Sequence, residues 1–329
     1  MTDSNPKKSI RALLTRIVDY AGLFPPSQLS MPRAVANYAA YQNSRYQWLL
    51  GRFVVPVARL GELAESAKEF FTADKEIWRL TVLASEDIQE TVRQIEDFNA
   101  RYAPFAVCDA LEAKAETSRR IAEISEAVAP DLKTYFEIPL EENLVDLIST
   151  LAIAGRCAKI RTGGVTAEAF PPIEKITRFM RVCLAANVPF KATAGLHHPL
   201  RVVKPLTYEA DAPVAAMNGF INVFLAAAFL RQGSPPKLVN ELIKDRQADN
   251  FLFSDDGVLW RQEYFAHTAQ LRSLRERSVI SFGSCSFAEP IEDLQELGLL
   301  RHSAETNLKF QSSVAYNSEN LVITEKIRS

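Results

Sequence analysis

Two neighbouring segments, Arg156-Cys-Ala-Lys-Ile-Arg-Thr-Gly-Gly164 and Val188-Pro-Phe-Lys-Ala-Thr-Ala-Gly-Leu-His-His-Pro-Leu-Arg201, are the most informative part of this chain. Each contains a short run typical of a β-strand, with cationic side chains among apolar ones, and each then reaches glycine. A helix-like segment with proline in its first turn, residues 171–186, separates them. Strand, helix and strand in this order predict two parallel strands joined by a crossover helix.

The same alternation extends through most of the chain. Predicted strands span residues 48–57, 78–84, 104–110, 133–138, 156–161 and 188–194, each followed along the chain by a helical or irregular segment, and a last strand spans 278–284. Successive strand–helix units predict an α/β fold of the (β/α)8 barrel type. An open doubly wound sheet is the alternative, but no Gly-x-Gly-x-x-Gly follows the first strand.

The predicted barrel does not use the whole chain. Residues 1–47 are expected to form a helical extension packed on the barrel, with helices over 10–20 and 31–43. The barrel itself is expected over 48–300, with an insertion at about 199–250, and a polar tail over 301–329. Residues 251–260 have the pattern of a hairpin with an Asp-Gly turn, or else supply the seventh strand.

Composition limits the class of function. The formal net charge is −2 in 329 residues, so no basic excess is present to bind nucleic acid. No apolar run approaches the roughly 20 residues of a membrane span, and no secretory signal is recognised. The four cysteines have no metal-type spacing, which favours reduced thiols in a cytoplasmic protein. The sequence leaves open whether the chain forms a homo-oligomer.

Strand alternation predicts which side chains face the barrel interior. In the strand over 156–161, Lys159 and Arg161 share the face opposite to the apolar one. By the same reasoning Lys191 and Thr193 point inward from the next strand, and Glu137 from the preceding one. Acids beside cations offset the cost of burial and shift each other's pKa values. A buried network of ion pairs with a structural role only is the alternative.

Other candidates lie at the predicted carboxyl ends of the strands, where such barrels bind substrates. Asp109 ends its predicted strand, and His197 and His198 follow theirs as acid–base candidates or metal ligands. The residues expected to bind an anion through backbone or hydroxyl donors are Thr162, Gly163, Gly164, Gly283 and Ser284.

Short motifs give two resemblances. Lys191-Ala-Thr-Ala-Gly195 resembles the Schiff-base strand, Lys-Thr-Ser/Thr-x-Gly, of deoxyribose-phosphate aldolases and related class I aldolases. That resemblance implies an amine nucleophile at Lys191 on a sixth strand, with Asp109 as the acid of the third. A second Lys-x-Ser-Gly-Gly strand is missing. Residues 19–26, 159–164 and 190–199 together resemble an uncharacterised bacterial barrel family, which implies the fold and no reaction.

Three hypotheses follow. The first is an enzyme acting on a small anionic carbonyl compound, in which Lys191 forms an imine or binds the carbonyl oxygen, without a cofactor. Arg161 and the glycine turn after it would hold a carboxylate or phosphate. The second is a lyase, isomerase or hydrolase that uses a divalent metal on Glu137 and His198, with Asp109 as a further ligand. The third is a ligand-binding barrel without catalysis.

Overall fold

The computed structural model describes residues 6–72 and 76–301. In chain order the strands are β1 (Val18–Tyr20), β2 (Leu50–Pro56), β3 (Trp78–Leu83), β4 (Ala106–Lys114), β5 (Lys133–Glu137), β6 (Cys157–Arg161), β7 (Phe190–Thr193), β8 (Val202–Pro205), β9 (Val214–Met217), β10 (Phe251–Phe253), β11 (Gly257–Trp260), β12 (Tyr264–His267) and β13 (Val279–Ser284). The α-helices are α1 (Lys8–Leu14), α2 (Met31–Gln42), α3 (Leu60–Ala67), α4 (Ile88–Tyr102), α5 (Ser118–Ala127), α6 (Leu144–Ile153), α7 (Ile173–Ala185), α8 (Phe220–Arg231), α9 (Pro236–Lys244), α10 (Thr268–Arg277) and α11 (Ala288–Glu296).

Eight parallel strands close into a barrel in the order β1-β13-β7-β6-β5-β4-β3-β2. The predicted (β/α)8 barrel is therefore confirmed. The strand that closes it is β1, which pairs with β13 on one side and β2 on the other. The helix predicted over residues 10–20 is wrong in its second half, because α1 ends at Leu14 and Arg16 adopts a positive φ of 50°. Pairing on both edges overrides the helical spacing of this short segment.

The buried side chain of Arg275 links the segment before β1 to the start of β13. Arg275, on α10, donates to the backbone carbonyls of Leu13 and Thr15, both at 2.8 Å. It also donates to the carbonyls of Val279 and Ile280, at 2.8 and 2.6 Å. One guanidinium therefore joins the segment before β1 to the start of β13, the strand beside which β1 lies.

The segment between β7 and β13 is the long insertion. It contains the two-stranded sheet β8-β9, helices α8 and α9, the antiparallel sheet β10-β11-β12, and helix α10. The hairpin predicted over residues 251–260 is confirmed, since β10 and β11 pair antiparallel. This hairpin lies outside the barrel, so residues 251–260 do not supply the seventh barrel strand, which is β7. The apolar helix α8 is buried along most of its length, so it packs as an inner element.

Apolar side chains pack on both sides of the barrel wall. The main core lies between the strands and the outer helices. A small separate cluster of Ala110, Tyr135 and Cys157, with Ile280 beside it, fills part of the barrel interior. In the described ranges, no helix combines the length and the apolar character needed to cross a bilayer. The predicted tail lies outside the described residues from position 302 onward.

Candidate functional site

Lys191 on β7 is the centre of a group of charged side chains inside the barrel. Its Nζ lies 2.5 Å from Oδ2 of Asp19 on β1 and 2.6 Å from Oε1 of Glu112 on β4. Its side chain is only 1% exposed, so the two carboxylates replace the water that an ammonium group would otherwise bind. Lys191 therefore has the inward position that strand alternation predicts.

The group continues toward the carboxyl ends of the strands. Lys159 Nζ lies 2.6 Å from Glu112 Oε2 and 2.8 Å from Glu137 Oε2. Glu137 Oε1 accepts from Arg161 Nε at 3.0 Å, and the Arg161 side chain is 49% exposed. We call the series Asp19–Lys191–Glu112–Lys159–Glu137–Arg161 the charge chain. Strand register brings it together, because Lys159 is paired with Glu137 on β5 and with Lys191 on β7.

Asp19 is fixed by further hydrogen bonds. Its Oδ2 also accepts from the Ser281 hydroxyl on β13 at 2.7 Å, and its Oδ1 accepts from the backbone N–H of Arg52 at 2.9 Å. A Cβ at Gly51 would lie 2.3 Å from Oδ1, which no side chain can tolerate without a shift. Glycine at position 51 thus allows β2 to approach the carboxylate, and Asp19 is held by three strands.

The charges set the protonation states of the charge chain. Burial alone would raise the pKa of Glu112, but the ammonium groups of Lys159 and Lys191 outweigh it and hold that pKa at about 2. Burial would lower the pKa of Lys191, but Asp19 and Glu112 outweigh it and raise that pKa above its usual value. The resemblance to class I aldolases implies an amine nucleophile at Lys191, but here Nζ of Lys191 lies between the carboxylates of Asp19 and Glu112. Lys191 is therefore an ammonium at neutral pH.

Tyr135 on β5 lies beneath the charge chain. Lys191 Nζ is 5.3 Å from its ring centroid, and Lys133 Nζ is 5.7 Å from it. The phenol oxygen is buried and has no hydrogen-bond partner among the described residues. Because Ala110 and Cys157 pack against the ring, this layer separates the charge chain from the other end of the barrel.

Asp109 lies at that other end, and its predicted position at the carboxyl end of a strand is wrong. The strand β4 continues to Lys114, with a register shift at Asp109. Asp109 binds Arg52 Nε at 2.6 Å and Arg79 Nε at 2.6 Å. Both arginines line a cavity of about 730 Å³ near the amino ends of the strands, with Lys133. Asp109 is therefore remote from the face at which such barrels catalyse.

We expect Asp109→Asn to lower stability, because the largely buried Arg52 guanidinium would lose its anionic partner. The cost should be about 1–3 kcal/mol in the free energy of unfolding. Urea titration followed by circular dichroism measures it. Glu62→Gln, which breaks the exposed pair with Arg59, is the matched control and should change little. A stable Asp109→Asn protein would contradict a structural role for this carboxylate.

The residues proposed as metal ligands are not brought together. Glu137 binds Lys159 and Arg161, Asp109 lies near the amino ends of the strands, and His198 binds an acid on α11. Among the described residues, no group of three or more His, Cys, Asp or Glu side chains is arranged to hold a metal ion.

The glycines after β6 and β7 pack against each other. A Cβ at Gly163 would lie 2.8 Å from Gly195 Cα and 2.5 Å from the Phe170 ring, and a Cβ at Gly164 would lie 2.8 Å from Ala169. Thr162 donates its hydroxyl hydrogen to the carbonyl of Ala194 at 2.5 Å. These contacts explain why the two loops have small residues. Anion binding by these loops remains a prediction.

The end of β13 is also in close contact with β7. A Cβ at Gly283 would lie 3.3 Å from the Thr193 hydroxyl oxygen, and the two residues are paired in register. The Ser284 carbonyl accepts from the N–H of Ala21, and its hydroxyl accepts from the N–H of Ser286. The Thr193 hydroxyl therefore lies against the backbone of Gly283. Phosphate binding by Gly283 and Ser284 remains a prediction.

The two histidines bind acids on α11. His197 Nδ1 lies 3.1 Å from Glu289 Oε2, and His198 Nδ1 lies 2.5 Å from Asp293 Oδ2. Both histidine side chains therefore contact the same helix, α11. Within the described residues, neither is hydrogen-bonded to a member of the charge chain.

Two members of the charge chain were missed or misjudged from the sequence. Asp19 lies near the end of the helix predicted over residues 10–20, because Ile17 and Val18 continue the helical spacing of α1, so the sequence does not place it on a barrel strand. Glu112 was missed because the predicted strand ends at residue 110, whereas β4 continues to Lys114 and the N-cap of α5 is Thr117, whose side chain accepts from the Arg120 N–H. The capping threonine was the signal that β4 extends further.

Comparison with known proteins gives neither a family nor an activity for this chain. No protein-family model matches the chain, and no curated protein matches it. Among solved structures, one described as a novel GH10 endoxylanase retrieved from a sugarcane soil metagenome matches with 9% sequence identity and a TM-score of 0.35, over 83% of this chain and 100% of that chain. Such a distant likeness carries no argument about activity. The chain is a (β/α)8 barrel by its own strand pairing.

Proposed function

We propose that this protein is an enzyme that acts on a small anionic carbonyl compound, as a lyase of the aldolase type. The observation that carries the proposal is the charge chain, which runs from buried Lys191 to half-exposed Arg161 at the carboxyl end of β6. Active sites of such barrels lie at that end. The reaction class is the one that the Lys191-Ala-Thr-Ala-Gly195 motif implies.

Burial of these charges is difficult to explain by stability alone. Moving an ion pair out of water costs several kcal/mol per ion, and apolar residues of similar volume are often at least as stable. Three cations and three carboxylates make up the charge chain, so it is balanced, but apolar side chains fill most such barrels. Ionisable groups with shifted pKa values are typical of functional sites.

Arg161 is suited to bind the anionic group of the substrate. Its Nε donates to Glu137, and in the described part of the chain its two terminal nitrogens have no hydrogen-bond partner. A guanidinium held at one edge presents the other donors in the geometry that a carboxylate or phosphate accepts. The anion would thus lie at the mouth and the carbonyl group further in.

Lys191 and Lys159 are suited to stabilise a developing oxyanion. A raised pKa keeps Lys191 charged, which favours binding of the carbonyl oxygen over attack by a neutral amine. Glu137, whose side chain is 15% exposed, lies nearer to solvent than the buried Glu112, and we assign it the proton transfer. Formation of an imine would first require Lys191 to give a proton to Asp19 or Glu112.

Two measurements on one set of samples test this proposal. Pyruvate, 2-oxoglutarate and dihydroxyacetone phosphate are incubated with the protein in D2O, and exchange of the hydrogens beside the carbonyl is followed by NMR. Parallel samples are reduced with borohydride and examined by mass spectrometry for an adduct at Lys191. We expect exchange with at least one compound, and its loss in Lys191→Met.

The pattern of results separates the alternatives. Exchange without an adduct supports an ammonium that binds the oxyanion, whereas exchange with an adduct at Lys191 supports the imine of class I aldolases. Lys175→Met is the matched control, because Lys175 forms an exposed pair with Glu141. Neither exchange nor adduct with any of the compounds would count against the enzyme, and would favour a ligand-binding barrel.

A further inference from the structure

The cavity near the amino ends of the strands is strongly basic. Its volume of about 730 Å³ falls in the range of about 300–1,000 Å³ that small-molecule sites have. Of the described residues that line it, seven are arginine or lysine, and two, Glu76 and Glu276, are acidic. The formal net charge of the whole chain is −2, so positive charge is concentrated at this end of the barrel.

Three of the cations come from barrel strands around Asp109. Arg52 lies on β2, Arg79 on β3 and Lys133 at the start of β5, while Asp109 lies on β4, between β3 and β5. Arg52 donates to both oxygens of Asp109, at 2.6 and 3.0 Å, and Arg79 Nε donates to Oδ2 at 2.6 Å. Two guanidinium groups therefore share one carboxylate, which leaves one positive charge in excess.

Lys133 adds a charge that no carboxylate balances. Its Nζ lies 5.7 Å from the Tyr135 ring centroid, and within the described residues its side chain has no hydrogen bond or ion pair. Burial lowers the pKa of Lys133, and the guanidinium groups of Arg52 and Arg79 act in the same direction. A half-buried ammonium beside two guanidinium groups is unfavourable unless an anion joins them.

Two arginines of α10 also line the cavity. The hydrogen-bond acceptors of Arg275 are four backbone carbonyls, which carry no net charge. The Arg272 side chain is exposed and, in the part of the chain that the structure describes, makes no hydrogen bond or ion pair. Of the two acids, Glu76 is paired with Arg16 and Glu276 is exposed to solvent. The protein therefore leaves most of the excess positive charge of this cavity without a counter-ion of its own.

We propose that this cavity binds a small organic anion with two or more phosphate or carboxylate groups, held by Lys133, Arg272 and the arginines at Asp109. A guanidinium fork matches the oxygens of either group, and an ammonium serves as a point charge beside it. Several separate cations suit a ligand with several anionic groups. The side chains of Trp48 and Ile77, which also line the cavity, offer apolar contact to its carbon skeleton.

The site is separate from the proposed lyase site. None of the described residues that line the cavity belongs to the charge chain. The layer formed by Tyr135, Ala110 and Cys157 lies between them. Binding in this cavity requires no catalytic role of the charge chain, so each of the two proposals can fail while the other holds.

Isothermal titration calorimetry of the full chain tests the proposal, with sodium pyrophosphate and citrate as probes at low ionic strength. Inorganic phosphate and acetate are the probes with a single anionic group. We expect pyrophosphate or citrate to bind with a stoichiometry of one, more tightly than either single-group probe, and less tightly as sodium chloride is added. The pyrophosphate and citrate titrations distinguish a phosphate-bearing ligand from a carboxylate-bearing one.

Lys133→Met and Arg272→Gln remove cations that have no ion-pair partner among the described residues, so both variants should fold. Each should weaken binding of the probe about tenfold, the loss typical of a hydrogen bond to a charged group. In urea, Lys133→Met should be at least as stable as wild type, because a charge that burial disfavours is gone. A lysine with a structural role only would give the opposite pattern, with lower stability and unchanged affinity.

Two further variants locate the bound anion. Lys175→Met, which breaks an exposed pair with Glu141, is the matched control and should leave affinity and stability unchanged. Arg161→Gln, at the opposite end of the barrel, should leave this binding in place. Loss of binding in Arg161→Gln but not in Lys133→Met would move the anion to the barrel mouth and overturn the proposal. Equal weakening in Lys133→Met and Lys175→Met, or no binding of either polyanion by wild type, would overturn it as well.

Discussion

Lys191→Met should lower the free energy of unfolding by about 3–5 kcal/mol, the cost typical of removing one partner from a buried ion pair. The substitution keeps a similar volume but leaves Asp19 and Glu112 facing an apolar side chain. Glu112 retains Lys159, whereas Asp19 retains, among the described residues, only the hydrogen bonds from the Ser281 hydroxyl and the Arg52 N–H. Guanidinium titration followed by tryptophan fluorescence measures the change.

A double variant shows whether charge imbalance is the cause. Asp19→Asn/Lys191→Met removes one charge of each sign, and the amide oxygen of the new asparagine can still accept from the Arg52 N–H. We expect the double variant to lie closer to wild type than Lys191→Met does, with a coupling energy of about 1–3 kcal/mol in the cycle. Additive losses, or a single variant as stable as wild type, would mean that Lys191 and Asp19 do not pair in the barrel.

The same double variant separates a structural network from a catalytic one. If the charge chain only holds the strands together, a folded Asp19→Asn/Lys191→Met protein should still catalyse the hydrogen exchange. If Lys191 binds the substrate carbonyl, that protein is folded but no longer catalyses the hydrogen exchange proposed above. Stability and exchange measured on one sample therefore distinguish the two roles of Lys191.

The barrel could be predicted because most of its strands repeat one sequence pattern. Its first strand, β1, could not be predicted in this way. Residues 48–194 alternate between apolar strands and amphipathic helices, which a parallel sheet with crossover helices satisfies. Val18–Tyr20 has three residues and continues the spacing of α1. Its strand conformation comes from pairing with β13 and β2, and from Arg275 on α10, which is distant in sequence. Local pattern carries no information about such contacts.

Four of the six members of the charge chain could be predicted for a related reason. Lys159, Arg161, Lys191 and Glu137 lie in strands with clear alternation, so their inward direction follows from period two. Glu112 lies in a stretch of good helix formers, where pairing of β4 with β3 and β5 overrides propensity. Asp109 was predicted at the carboxyl end of a strand over residues 104–110, but β4 continues to Lys114, so Asp109 lies in the first half of the strand, at an extra residue in its pairing with β3.

Acid should destabilise the protein mainly through the carboxylates of the charge chain. The pKa of Glu112 is about 2 in the folded protein and 4.5 without its partners, so the unfolded chain binds the proton more tightly. The stabilisation is then fully present above pH 4.5 and is lost as the pH falls toward about 2. A shift of this size corresponds to about 3 kcal/mol, and Glu137, whose pKa is also lowered, acts in the same direction.

Glu112→Gln isolates this contribution, because glutamine cannot titrate. At pH 7 the variant should be less stable than wild type, since Lys159 and Lys191 lose the carboxylate between them. As the pH falls from about 5 to about 2, the wild-type protein should lose stability faster, and the two urea midpoints should converge. Glu123→Gln, at an exposed pair with Arg119, is the matched control and should stay parallel to wild type. Parallel curves for Glu112→Gln would mean that Glu112 does not carry its charge between the two lysines.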